Sequence, residues 1–73
     1  MEWFLFKDMG SLFEPENYIL MAGTPTNFQK GERLYAIRAK PNGLYPNMTE
    51  ELKDEILTAL MLKKSTETIK LKS

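Results

Sequence analysis

A single stretch of this chain, from about residue 47 to residue 64, has the spacing of an amphipathic helix. Its apolar residues recur three or four positions apart and so share one helix face: Leu52, Ile56, Ala59 and Leu60. The apolar stripe is wide, which suits a helix lying across a sheet better than a free coiled coil. Asn47 or Thr49 is predicted to cap the helix, because both side chains accept hydrogen bonds from first-turn N–H groups.

Three segments before the helix have the composition of β-strands, namely 3–7, 18–22 and 33–40. Turn residues separate them, and Pro41-Asn42-Gly43 ends the third. The order β-β-β-α predicts an α+β fold, in which the helix covers one face of a small, three-stranded antiparallel meander. We expect one domain over residues 1–64. The basic tail, residues 65–73, is predicted to be either disordered or a short fourth strand.

The chain has 73 residues and no cysteine, so disulfides and thiolate metal sites are excluded. Small secreted domains usually depend on disulfides, and their absence favours a reducing compartment. The chain starts with Met1 and reads as one complete small product. It has an acid at Glu2 and an apolar run of only four residues, Trp3 to Phe6, which is not the pattern of a signal peptide. We therefore expect a cytoplasmic protein.

Catalysis has little support in this composition. The chain lacks both histidine and cysteine, which removes the commonest general base and the thiol nucleophile. The four glycines are isolated, so no phosphate-binding loop is present. An acidic cluster in the helix contains Glu50, Glu51, Asp54 and Glu55. It suits a hard cation or a basic partner, but it equally suits a solvated helix face. We predict no catalytic residue, no metal site and no cofactor.

The charges cancel in total but are separated along the sequence. Ten basic and ten acidic residues give a formal net charge of zero, which argues against a general nucleic-acid binder. Residues 33–47 nevertheless contain bases and no acid, whereas acids dominate residues 48–62 and bases dominate residues 63–73. Such blocks either orient a partner or are simply solvated faces.

The first strand is apolar on both faces. Alternation places Trp3 and Leu5 on one face and Phe4 and Phe6 on the other, and one helix covers only one face of a small sheet. The second face is covered either by loop residues of the chain (Leu12, Phe13 and Phe28) or by a partner protein. The strand's N-terminal position also suggests a sheet edge, which is open to strand addition.

Bases and aromatic residues alternate along the third strand, a pattern that suits a stacking platform for single-stranded nucleic acid but also any half-buried strand. A nucleic-acid-binding module is therefore the alternative to a protein-binding one. The predicted partner-binding residues are Trp3, Phe4, Phe6, Lys7, Tyr18, Tyr35, Arg38 and Lys40, with tail contacts from Lys63, Lys64, Lys70 and Lys72.

In size, in aromatic residues near the N-terminus and in its separated charges, the chain resembles the small phage-encoded transcription regulators that bind bacterial RNA polymerase. The resemblance concerns general character and aligns no individual residues. It implies a monomeric, non-enzymatic regulator in the host cytoplasm. Such a protein would block transcription initiation by competing with the sigma factor, with antitermination as a further implied activity.

Overall fold

A computed structural model describes residues 1–25 and 31–72. The elements in chain order are strand β1 (Glu2–Phe6), a turn of 3-10 helix (Pro15–Asn17), β2 (Tyr18–Leu20), β3 (Arg33–Ala39), β4 (Pro41–Asn42), β5 (Tyr45–Pro46), helix α1 (Glu50–Leu62) and β6 (Ile69–Lys72). The predicted α+β class is confirmed. Among the described residues, no helix is both long and apolar enough to cross a membrane.

The main sheet has four strands in the order β2-β1-β3-β6, and each neighbouring pair is antiparallel. The first strand therefore lies inside the sheet and not at its edge, so the expectation of an edge position is wrong. The predicted meander is also wrong, because β2 and β3 lie on opposite sides of β1. Strands β4 and β5 form a separate hairpin, whose turn at Gly43 has a positive φ of 68°.

Helix α1 covers one face of this sheet, and the core lies between them. The core cluster contains residues from β1, β2, β3, α1 and β6: Phe4, Phe6, Tyr18, Leu34, Ile37, Ala39, Leu52, Ile56, Ala59, Ile69 and Leu71. Leu12, Met48 and Leu60 pack against its margin. A chain of this length has a small core, so most of its large apolar side chains must contribute to it.

A β-bulge interrupts the pairing of β3 with β6. Leu34 lies opposite Leu71 and Ala36 opposite Lys70, which leaves Tyr35 as the extra residue. A regular strand would place residues 34 and 37 on opposite faces. With the bulge, Leu34 and Ile37 both enter the core.

The N-terminus of helix α1 is capped by one of the two predicted residues. The Thr49 hydroxyl oxygen accepts a hydrogen bond from the Leu52 N–H at 3.1 Å, so Thr49 and not Asn47 is the cap. The helix ends at Leu62, after which Lys63 adopts the left-handed conformation with φ 53°. Its N–H donates to the Ala59 carbonyl, which is how a helix end satisfies a free carbonyl.

The C-terminal segment forms a strand, the second of the two predicted alternatives. Ile69 and Leu71 alternate into the core and are fully buried, while Lys70 and Lys72 point to the other side of the sheet. The described part of the tail, residues 65–72, is therefore part of the domain, and position 64 is not a domain boundary.

Candidate functional site

The β6 edge of the sheet is closed by the chain itself. The Ile69 N–H donates to the Thr66 hydroxyl at 3.0 Å, and the Thr66 N–H donates to the Ile69 carbonyl at 2.7 Å. The Leu71 N–H donates to the Ser65 hydroxyl at 2.9 Å. Residues 69 and 71 point their backbone groups away from β3, so these bonds occupy groups that another chain would otherwise use.

The outer side of β2, by contrast, pairs with no strand in the described part of the chain, although β5 lies close to it. The Met21 N–H donates to the Trp3 carbonyl at 2.9 Å, so the preceding residue, Leu20, points its N–H and C=O away from β1. By the same alternation the backbone N–H and C=O of Tyr18 point away from β1. This N–H donates to the Pro15 carbonyl. Among residues 1–25 and 31–72, no strand pairs with this edge.

Exposed apolar side chains accompany the open edge. Ile19 is 51% exposed on β2, and Leu44, at the hairpin turn, is 70% exposed. With Leu20 and Tyr45 they form what we call the edge patch: Ile19, Leu20, Leu44 and Tyr45. A shallow depression joins these four side chains, with Tyr18 and Lys7 completing its lining. An apolar patch bordered by a charge is typical of a protein-binding surface.

A second surface lies on the sheet face opposite α1. Because of the bulge at Tyr35, Arg33 and Arg38 share this face although they are five residues apart. Arg33 lies opposite Lys72 on β6, and Lys40 continues the alternation directly after β3. We call this set the basic face: Arg33, Arg38, Lys40, Lys70 and Lys72. The acidic cluster belongs to α1, and two of its members, Glu51 and Glu55, line a depression together with Arg38 and Lys40.

Two contacts anchor bases of this face. The Lys70 ammonium lies 5.7 Å from the centroid of the Trp3 ring, within the range of a cation–π interaction. The Lys72 ammonium forms an ion pair with the Asp8 carboxylate. Lys70 thus reaches across β3 to β1, and Lys72 reaches the turn that follows β1. The bases of β3 and β6 therefore lie on one continuous surface.

The predicted tail contacts separate into two groups. Lys70 and Lys72 belong to the basic face, whereas Lys63 and Lys64 follow the helix. The Lys63 ammonium lies 3.1 Å from a Glu32 carboxylate oxygen, and both side chains are mostly exposed. The four lysines therefore do not form one site.

Half of the predicted partner-binding residues are buried. Phe4, Phe6 and Tyr18 are core residues, and Trp3 is only 9% exposed on the opposite face. These side chains contact the protein itself because a small domain needs its large aromatic residues inside. The predicted aromatic surface on the first strand is therefore wrong for the folded chain.

The remaining predicted residues are accessible. Lys7, Arg38 and Lys40 are exposed and Tyr35 is half-buried. Of the loop residues considered as cover for β1, Leu12 packs against the core, Phe13 is half-buried with the Lys53 ammonium 5.9 Å from its ring centroid, and Phe28 lies outside the described residues.

Tyr18 has a structural role at the junction of these elements. Its ring packs against Phe6 at a centroid distance of 5.2 Å, and its hydroxyl donates to the Leu12 carbonyl at 2.6 Å. Burial raises the pKa of this phenol well above its ordinary value. The hydroxyl therefore stays protonated and tethers the loop after β1.

Sequence reasoning missed the edge patch. In the predicted meander, Ile19 and Leu20 belong to the middle strand, which has a neighbour on each side. No role is predicted for Leu44, which follows the turn residues. An apolar residue directly after Asn42-Gly43 was the available signal, because the exposed tip of a hairpin rarely gains from a leucine there.

Within the described part of the chain, no three His, Cys, Asp or Glu side chains converge as metal ligands. The helix acids remain along an exposed helix face, where two of them lie in the first turn beside the positive end of the dipole.

No protein-family model matches the chain, and neither the curated proteins nor the solved structures contain a significant match.

Proposed function

We propose that this protein is a non-enzymatic regulator that binds a partner protein through its open β2 edge and the edge patch beside it. The observation that carries the proposal is the difference between the two sheet edges. Ser65 and Thr66 bond to the β6 edge, whereas no strand of residues 1–25 and 31–72 pairs with the outer side of β2, which has exposed apolar side chains around it. An unpaired, apolar strand edge promotes aggregation. Its presence in a folded protein therefore favours a role in binding another chain.

The occupant we propose is an extended segment of a different protein. The accessible outward groups of β2 are the N–H and the carbonyl of Leu20, because Tyr18 is only 1% exposed and its N–H already bonds to Pro15. One residue of a foreign strand in register supplies the acceptor and the donor that these two groups need, and the side chains of that strand lie on the edge patch.

The first partner to test is bacterial RNA polymerase, a choice that rests on the resemblance to small phage regulators. Binding of purified core enzyme and holoenzyme is measured by biolayer interferometry, together with promoter-dependent run-off transcription. We expect binding and reduced initiation with the wild type, and loss of both with the double variant Ile19→Lys, Leu44→Lys. The matched control is Leu57→Lys, Met61→Lys, which places the same charges on exposed helix positions.

A backbone variant tests strand addition itself. Leu20→Pro removes an N–H that points away from β1, a position at which an edge strand tolerates proline. Leu20→Ala removes only the side chain. Proline is expected to weaken binding at least tenfold beyond alanine, with unchanged circular dichroism. Equal binding by the two variants would show that no strand is added.

If the polymerase does not bind at micromolar concentration, the named target is wrong. The edge is then tested with a display library of short extended peptides. We expect the selected peptides to bind the wild type and not the Leu20→Pro variant. Peptides that bind both proteins equally would show that the β2 edge is not the binding site. A dimer in light scattering that dissociates in the Ile19→Lys, Leu44→Lys variant would assign the edge to self-association instead.

A further inference from the structure

We infer that the basic face binds single-stranded nucleic acid. This site is separate from the β2 edge and does not depend on the proposed function. The inference rests on three features: the placement of five bases on one sheet face, the bulge that puts them there, and two aromatic side chains, one against a base and one at the bulge.

The bulge at Tyr35 produces the charge pattern. Without it, Arg33 and Arg38 would point to opposite faces, and Arg33 would take the place of a core residue. The extra residue keeps Leu34 and Ile37 in the core and places both arginines outward. Bulges commonly redirect side chains at functional positions.

The spacing suits a flexible polyanion. Strands β3 and β6 are neighbours about 4.8 Å apart, and alternate residues along each strand are about 6.6 Å apart. The arginines therefore form one row and Lys70 and Lys72 a second, parallel row. A phosphate backbone lying along two such rows meets a base at every step, which is the arrangement of an electrostatic groove for a single strand.

The face is basic although the protein carries no net charge. Two acids of α1, Glu51 and Glu55, line a depression together with Arg38 and Lys40, and Asp8 pairs with Lys72. Five bases against these three acids leave the face with a positive potential. This excess of bases favours a polyanion over an ordinary protein surface, in which the two signs balance.

One aromatic side chain lies against a base of this face, and a second belongs to the bulge between the two arginines. Tyr35 is half-buried at the bulge, and the Trp3 ring lies beneath the Lys70 ammonium. A phosphate that pairs with Lys70 competes with the Trp3 ring for the same ammonium. Trp3 is the one tryptophan of the chain, so its fluorescence reports directly on this event.

The test is a fluorescence titration of the full chain with a single-stranded oligothymidylate about 12 nucleotides long, started at low salt. Anisotropy of the labelled oligonucleotide provides a second readout. We expect saturable binding with a change in Trp3 emission. For about four phosphate contacts, the slope of log affinity against log salt is expected to be about −3.

A charge-matched pair of variants locates the site. Arg38→Gln with Lys40→Gln is expected to weaken binding at least tenfold. Lys63→Gln with Lys64→Gln removes the same charge from the end of the helix and is expected to change it less than twofold. Thermal melts of both variants establish that the fold survives.

Three results would overturn the inference. The first is the absence of both an emission change and an anisotropy change at low salt. The second is an equal loss of affinity in the two double variants, which would mean that total charge governs binding. The third is equally tight binding of polyglutamate of the same length, which would assign the face to acidic protein segments.

Discussion

Replacing Tyr18 by phenylalanine is expected to alter how stability depends on pH. The Tyr18 side chain is 1% exposed and its hydroxyl donates to the Leu12 carbonyl at 2.6 Å. Tyr18→Phe removes this hydrogen bond and leaves a carbonyl without its partner, which costs about 1 kcal/mol. At pH 7 the variant should therefore be less stable than the wild type by that amount.

The difference is expected to shrink and then reverse at high pH. Burial raises the pKa of Tyr18 in the folded protein, whereas in the unfolded chain the phenol ionises near its ordinary pKa of about 10. Folding then favours the protonated form, so the contribution of Tyr18 is fully present below pH 10 and is lost as the pH rises. At pH 11 the unfolded state gains about 1.4 kcal/mol from ionisation, which exceeds the cost of the lost hydrogen bond.

Urea unfolding followed by Trp3 fluorescence measures this effect between pH 7 and pH 11. The stability curves of wild type and Tyr18→Phe should cross between about pH 10 and pH 11. Tyr45→Phe is the control, because Tyr45 is 44% exposed and lies outside the core. A constant gap between wild type and Tyr18→Phe from pH 7 to pH 11 would refute the argument.

Three further substitutions test the fold by thermal and chemical denaturation. Thr49→Ala removes the cap on the Leu52 N–H and should cost about 1 kcal/mol, while Thr49→Ser should restore most of it. Ile56→Ala empties a fully buried position beneath the helix and should cost about 2–5 kcal/mol; a loss below 1 kcal/mol would mean that the helix is loosely packed. Ser65→Ala frees the Leu71 N–H at the β6 edge and should cost about 1 kcal/mol and promote self-association in light scattering, whereas an unchanged monomer would show that this hydroxyl does not protect the edge.

The local elements followed closely from the sequence. Helix α1 at Glu50–Leu62 lies within the predicted stretch, because its period, cap and first-turn acids are all encoded within neighbouring residues. The three predicted strands match β1, β2 and β3 to within two residues at their ends. The alternation of Ile69 and Leu71 allowed a C-terminal strand but could not require one, since a strand of four residues depends on its partner.

The surfaces did not follow from the sequence in the same way. The doubly apolar β1 suggested an exposed aromatic face, but a central position between β2 and β3 buries both faces of the strand. The edge patch was missed because exposure of Ile19 depends on which strand lies beside it. Arg38 and Lys40 were recognised as a basic pair, whereas Arg33 joined them only through the bulge at Tyr35.

The sequence by itself thus determined where the helix and strands lie, because hydrophobic period, caps and turn residues act over a few neighbouring positions. It also determined the class of fold, with one helix against a small antiparallel sheet. Only the tertiary structure decided the strand order, the closed and open edges and the face on which each base lies. These depend on hydrogen bonds between residues far apart in the chain, and one extra residue in a strand changes the face of every side chain beyond it.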